Sequence, residues 1–266
     1  PATQGSKLYS VLPADGVGDF TFSRNSAATR INKDGLIETV AVGKSRLNYP
    51  LIDGVVNGCP SHLLEPSRSN NFSYSEDFLN AYWSKSGSSI TSDSVISPDG
   101  TLNADKLVEN SDTVEHFLRR SIAVATGQYT WSVFAKASER KYIVLRTNGD
   151  GGAYKNACFD VELGVVVYDG LHNSEAKIEA FPNGWFRISG LSKETSGTTR
   201  NYQIHVSDSA ITDNSAISYN GDGISGIYLY GVQLELGYRS SYIPTTSSAV
   251  TRSAETANGA GDASTF

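Results

Sequence analysis

The sequence predicts an all-β protein, an antiparallel sandwich or barrel, and three observations carry that prediction. Apolar and polar residues alternate with period two over many short runs, turn dipeptides separate the runs, and helical periodicity is nearly absent. Near the start, Phe20 to Phe22 and Gly35 to Val40 have strand character, the second run following the turn sequence Asn32-Lys33-Asp34-Gly35. Helix signals are confined to short candidates such as residues 75–82, where Ser75 can cap and Glu76 and Asp77 suit a first turn. Tyr129 to Ala135 sets large apolar residues against small polar ones, with Trp131 on the core side. Tyr142 to Arg146, Trp185 to Ser189 and Asn201 to Val206 repeat the pattern. Between them lie Asp99-Gly100, Asn148-Gly149, Asp150-Gly151, Asp169-Gly170, Asn183-Gly184, Asn220-Gly221 and Asp222-Gly223. Leu234 and Leu236 alternate with Gln233 and Glu235, so the leucines are expected to point inward, and Pro244 ends the run.

Bulk composition narrows the function. With 266 residues the chain has room for one large domain, or one domain and a smaller module. Net charge is −6 and the basic residues are scattered, which argues against a nucleic-acid partner, because phosphate binding needs a basic stripe. No apolar run approaches the roughly 18 residues of a membrane-spanning helix. An aromatic fraction of 10% argues against wholesale disorder. Cys59 and Cys158 form no CxxC motif; a single disulfide and two free thiols are both open. His62, His116, His172 and His205 are isolated, and none has zinc-ligand spacing. The chain contains no Met, so a processed protein or a segment of a longer one is expected.

Three regions are expected: an N-terminal β segment over 1–70, a β-sandwich over 71–246, and a linker or exit segment over 247–266, which is rich in Ser, Ala, Thr and Gly.

Several anchors in this order resemble a module of bacteriophage structural proteins, found in tail fibres, tail spikes and head fibres and similar to jelly-roll carbohydrate-binding modules. They are Phe20 to Arg30 with its Arg24-Asn25-Ser26, the Asp34-Gly35-Leu36-Ile37 hairpin, and Leu63-Leu64-Glu65-Pro66 leading to Asn70. Further on come Tyr74-Ser75-Glu76-Asp77-Phe78 with Trp83, Ser97-Pro98-Asp99-Gly100, and Asn183-Gly184-Trp185-Phe186-Arg187. The most distinctive pair is Gly231 to Gly237 followed by Ser241-Tyr242-Ile243-Pro244-Thr245. The resemblance spans residues 20 to 255 and implies a jelly-roll sandwich, a polysaccharide or cell-surface glycan as partner, and a place in a virion or outside the cell. Taken singly, each anchor also reads as scaffold: Asn183-Gly184 as a tight turn and Trp185 as core filling. Jelly-roll sugar-binding modules often hold a structural calcium, and in the calcium-bearing relatives an acidic residue near the first strand and another in the last clamp the ion. Glu76 and Asp77 can fill the first role, but Tyr230-Gly231-Val232 stands where the paired acids are expected, so no cofactor is assigned beyond that optional ion.

Catalysis finds no support in the spacing. A glycosidase needs two carboxylates about 5–10 Å apart, and Glu76, Asp160, Glu179 and Glu235 form no local pair. A GxSxG elbow is lacking, and Asn148 to Gly152 lacks the Lys of a phosphate loop. The reading is therefore non-catalytic.

A saccharide offers apolar C–H faces and a rim of hydroxyls, which aromatic rings and short polar side chains recognise. With 14 Tyr and 3 Trp the chain is well supplied. The expected binding residues are Trp83, in a Ser-rich stretch; Tyr142, Arg146, Tyr154 and Lys155 around one hairpin; and Arg200, Tyr202 and His205 on a neighbouring strand. For an acidic polymer, Arg146, Lys155 and Arg200 are the expected partners of its carboxylates. The alternatives are a structural or trimerising fibre module that binds nothing small and forms a homo-oligomer, and a polysaccharide lyase or hydrolase.

Overall fold

The computed structural model describes residues 2–4, 7–9, 21–148, 153–171, 175–195 and 197–258. Its body is two six-stranded antiparallel sheets. The first strands are β1 (Ser84–Ser86), β2 (Ser88–Ile96), β3 (Leu102–Glu109) and β4 (Phe117–Val124). Next come β5 (Gly127–Ala137), β6 (Tyr142–Asn148), β7 (Tyr154–Asp160) and β8 (Val165–Asp169). The last are β9 (Lys177–Phe181), β10 (Trp185–Glu194), β11 (Thr198–Ser207) and β12 (Gly226–Leu236). Sheet one has the order β1-β4-β11-β6-β7-β8, and sheet two the order β2-β3-β12-β5-β10-β9. The protein is an antiparallel β-sandwich, as the period-two runs predict.

The core lies where the inner faces meet. Tyr129, Trp131, Val133 and Ala135 of β5 face Ile143 and Leu145 of β6, with Tyr202, Ile204 and Val206 of β11 beside them. Two residues per repeat send one set of side chains inward and the alternate set outward, which fixes the register. The two cysteines are free thiols; Cys158 is buried on β7, and burial pushes its thiol up to about 11.

One irregularity reorganises the outer face of sheet two. Opposite β5, strand β12 carries an extra residue between the pairs Ser132↔Gln233 and Phe134↔Tyr230. The inward set is Ile227 and Leu229 before this bulge but Val232 and Leu234 after it. Gly231 adopts φ +58° at the bulge, and a Cβ there would lie 3.0 Å from the Tyr242 ring and 3.1 Å from Phe134. Leu234 points inward as expected, whereas Leu236 at the strand end is exposed and Gln233 and Glu235 are buried on the outer side.

They are buried because a third layer covers that side. It consists of short hairpins, Ala28–Ile31 with Ile37–Val40 and Leu47–Asn48 with Ser61–His62, together with the chain after β12. Ile37, Phe134, Phe181, Trp185, Tyr230 and Tyr242 form a second apolar cluster between this layer and sheet two. Residues 247–258, expected as a linker, return to the body instead. Val250–Arg252 pairs with Arg68–Asn70, and Thr256–Asn258 pairs with Thr21–Ser23. Residues 259–266 lie outside the described residues.

Buried charges fasten the two chain segments. Arg24 and Arg46 both pair with Glu255, while Glu65 pairs with Arg46 and Arg252, both at 2.9 Å. Burial alone would raise the Glu65 carboxyl, but the Ser241 hydroxyl and the guanidiniums of Arg252 and Arg46 outweigh it and hold the group below the usual carboxylate range.

Residues 75–82 form successive turns rather than a helix. Ser75 Oγ lies 2.7 Å from the Tyr242 hydroxyl and accepts the Thr245 N–H at 2.8 Å, so its capping capacity is spent on the C-terminal segment. The Asn183-Gly184 turn is as expected, a short 3-10 turn with Asn183 at φ 61°.

Candidate functional site

Most of the residues expected on an open sugar platform are in the structure's interior. Trp83 is 3% exposed: its ring packs 5.2 Å from Phe72 and 5.7 Å from Phe78, and its Nε1–H donates to the Tyr74 carbonyl at 3.0 Å. The Ser-rich stretch that suggested exposure, Ser84 to Ser89, is strand β1 and the start of β2, and the indole before it turns inward. Tyr202 points inward to Phe72 and Trp131, at 5.7 and 5.4 Å. Arg200 is buried against Glu194.

Arg146 and His205 do share the outer face of sheet one, on adjacent strands, but that face is covered. The segment from residue 208 to 217 lies across β6 and β7. Arg146 donates to Ser215 O at 2.6 Å and to Asn156 Oδ1 at 2.8 Å, and pairs with Glu115 at 2.6 Å. Ile217 packs on Val144 and Cys158 beneath the same segment. His205 is fully buried; its Nε2 lies 2.9 Å from Gln203 Oε1, and its Nδ1 has no hydrogen-bond partner among the described residues. Burial above all, then the charge of Arg146 and the proximity of His116, pushes the imidazole well below its usual value, so it is neutral.

Tyr142, Tyr154 and Lys155 retain access to solvent but do not share a place: Tyr142 lies opposite Asp160 at one end of the β6–β7 hairpin, and Tyr154 lies opposite Asn148 at the other. The Tyr154 ring lies 5.1 Å from the Arg146 guanidinium carbon, while Lys155, the next residue on the strand, points to the opposite side. Residues 149–152 of the intervening loop lie outside the described residues.

The carboxylates considered for calcium do not form a clamp. Glu76 Oε1 lies 3.1 Å from the Tyr230 hydroxyl and 2.9 Å from that of Tyr242, and burial raises its pKa. Two hydroxyls directed at one oxygen occupy the lone pairs that a cation would use. Asp77 instead accepts from Asn80 N–H and Nδ2, at 3.0 and 3.2 Å. Among the described residues no group of three or more His, Cys, Asp or Glu side chains could hold a metal ion. Glu76 and Asp77 thus turn to separate partners.

An accessible concavity exists on the other side of the molecule, between sheet two and the third layer. Two adjoining clefts, of about 230 and 560 Å³, share Ile31, Asn48, Glu179 and Phe181 and so form one groove. Strands β9 and β10 supply one wall: Glu179 faces out from the sheet edge, and Arg187 stands beside Phe134, with its guanidinium carbon 5.3 Å from that ring. The hairpins supply the other wall, with Asn48, Tyr49 and Leu51, and the turn after β12 closes the end with Arg239 and Tyr242. The floor is aromatic and aliphatic, and the rim carries an amide, a carboxylate and guanidiniums. Such a lining suits a ligand with apolar faces and a polar edge.

Sequence reasoning did not place this groove. Arg187 belongs to a recognisable strand, and its neighbours in period two fix it as outward-facing. That Asn48 and Arg239 line the same cleft depends on contacts between segments 139 and 52 residues away in the chain, for which no local pattern exists.

No protein-family model matches the sequence, and no curated protein matches it. Solved structures to which this chain is similar include the enzymatically active domain of bacteriophage CBA120 tailspike protein 4, at a TM-score of 0.39 and 12% identity over 63% of this chain and 21% of that one. Another is the Clostridium thermocellum xylanase 10B CBM22-1–GH10 pair complexed with xylohexaose, at 0.39 and 14% over 68% of this chain and 30% of that one. A third is TmCBM61 in complex with beta-1,4-galactotriose, at 0.39 and 9% over 64% of this chain and 99% of that one. The chain thus spans less than a third of the length of the first two.

Proposed function

We propose that the protein is a non-catalytic polysaccharide-binding module that holds its ligand in the groove between sheet two and the third layer. The continuous groove carries this reading, because its apolar floor and polar rim match the two kinds of surface a pyranose presents. Tyr49 and Leu51 take the C–H face of a sugar, and Asn48 and Glu179 take its hydroxyls. Tyr154, at the loop end of the β6–β7 hairpin, offers a second, smaller contact. The phage-module resemblance of the sequence supports a virion or extracellular setting and a cell-surface glycan as partner.

Affinity electrophoresis against xylan, β-1,4-galactan and polygalacturonate tests the reading. We expect at least one polymer to retard the wild-type protein, and Tyr49→Ala to weaken retention about fivefold or more, the order expected for loss of one aromatic contact. Failure of every polymer to retard the protein would end this reading.

A second reading, a spacer that assembles into a fibre, is favoured by one observation. The edge strand β8 exposes Val165 and Val166, with Leu163 in the turn before it, and an exposed apolar edge invites pairing with another copy. Sedimentation separates the two: a stable trimer supports the spacer, and a monomer opposes it.

A further inference from the structure

The groove contains cationic hydrogen-bonding capacity that the protein itself does not use. Arg187 is only 5% exposed, yet among the described residues no carboxylate pairs with it. Its partners are neutral: the Ser240 carbonyl at 2.8 Å, and Ser132 Oγ at 3.3 Å from Nε and 3.1 Å from Nη2. A guanidinium has five N–H donors, so these contacts leave two without an acceptor. Burial, reinforced by the charge of Arg239, lowers the Arg187 pKa to about 9, the direction expected for a cation that lacks a counter-ion.

Arg239 faces the same cleft. Its Nη2 pairs with Glu179, whereas its Nη1 is buried without a hydrogen-bond partner among the described residues. The other acids nearby are committed elsewhere: Glu65 to Arg46 and Arg252, Glu235 to the N–H and hydroxyl of Ser240, and Glu38 to Arg30 of the cleft wall. Unused donors on two guanidiniums that line one cleft are what a two-oxygen anion satisfies.

We infer that the groove is built for an acidic polysaccharide, with one uronate carboxylate seated on Arg187 and Arg239. This rests on the polysaccharide reading above and narrows its ligand. Arg146 and Arg200 cannot serve this purpose, because Glu115 and Glu194 already neutralise them inside the fold. Glu179 is the built-in competitor: it holds one edge of Arg239 and repels an incoming carboxylate.

Binding of polygalacturonate, its fully methyl-esterified form, xylan and β-1,4-galactan to the full chain tests the inference. The variants are Arg239→Gln and Glu179→Gln, each checked for a native circular-dichroism spectrum. We expect the acid polymer to bind and its ester to bind at least about tenfold more weakly, the scale of a charge-assisted pair. Arg239→Gln should weaken acid binding by a similar factor, and Glu179→Gln should tighten it. Opposite signs from two substitutions at one ion pair exclude a mere loss of folding. Wild-type protein that holds xylan or galactan as tightly as polygalacturonate would overturn the inference and leave polysaccharide binding intact. Absence of binding to all four polymers would overturn both. Acid binding indifferent to both substitutions would place the carboxylate elsewhere and overturn the inference. Displacement of polygalacturonate by inorganic phosphate as readily as by galacturonate would overturn it too, by making the seat a general oxyanion site.

Discussion

His205 is a base that the fold keeps from protonating. Buried beside the charged Arg146, it stays neutral in the native protein, whereas in the unfolded chain it takes up a proton near pH 6.5. Below that pH the unfolded state binds more protons than the native state, so stability falls as pH falls. The limiting slope for one histidine is about 1.4 kcal/mol per pH unit. Urea midpoints at pH 7.5 and 5.5 should therefore differ more for the wild type than for His205→Gln. Equal slopes in the two proteins would show that the native imidazole is protonated after all. Period two correctly puts Tyr202 and His205 on opposite faces of β11. It says nothing of what covers each face, and so most of the expected platform residues turn out to be interior ones. A face looks the same in sequence whether water or a returning loop lies over it.

At the scale of single elements, strand β12 shows how one added residue misdirects a correct pattern. The alternation of Leu234 and Leu236 with Gln233 and Glu235 is plain in the sequence, and Leu234 does point inward. The bulge at Gly231 exchanges the inward and outward sets along the strand, and the third layer then buries what an open sandwich would leave wet. Gly231→Ala should cost about 1–3 kcal/mol, since the residue holds φ +58° and its new methyl meets the Tyr242 and Phe134 rings. Thermal unfolding checks this; an unchanged midpoint would mean that the bulge relaxes freely. Strands with unbroken alternation, such as β5 and β10, were legible because every neighbour obeys one parity. The glycine signalled the exception only once its backbone conformation was known.

Across the whole molecule, several anchors of the phage-module resemblance gather into the third layer and its fastening, while Phe78 and Trp83 belong to the main core. Arg24, Glu65, Ser241 and Tyr242 all lie there, far apart in sequence and joined by buried ion pairs and hydrogen bonds. Their co-occurrence was visible in the sequence, but their common purpose was not, because small polar composition over 247–266 also describes a tether. Two changes measure that purpose. Glu255→Gln leaves Arg24 and Arg46 buried with weakened partners and should cost about 3–5 kcal/mol. A chain ended at residue 246 should melt well below the full protein, and an unchanged melting temperature would restore the tether reading.

The pairing of Thr21–Ser23 with Thr256–Asn258 has a mechanical corollary. Thr21 lies opposite Asn258, and Ser23 opposite Thr256, so the outermost rung joins the points where the described body is entered and left. Tension applied at those two points pulls along the direction of the rungs rather than along the strands, and loads them one at a time. The body would open under force like a zip from this rung inward, shedding the third layer before any strand of the sandwich carries load.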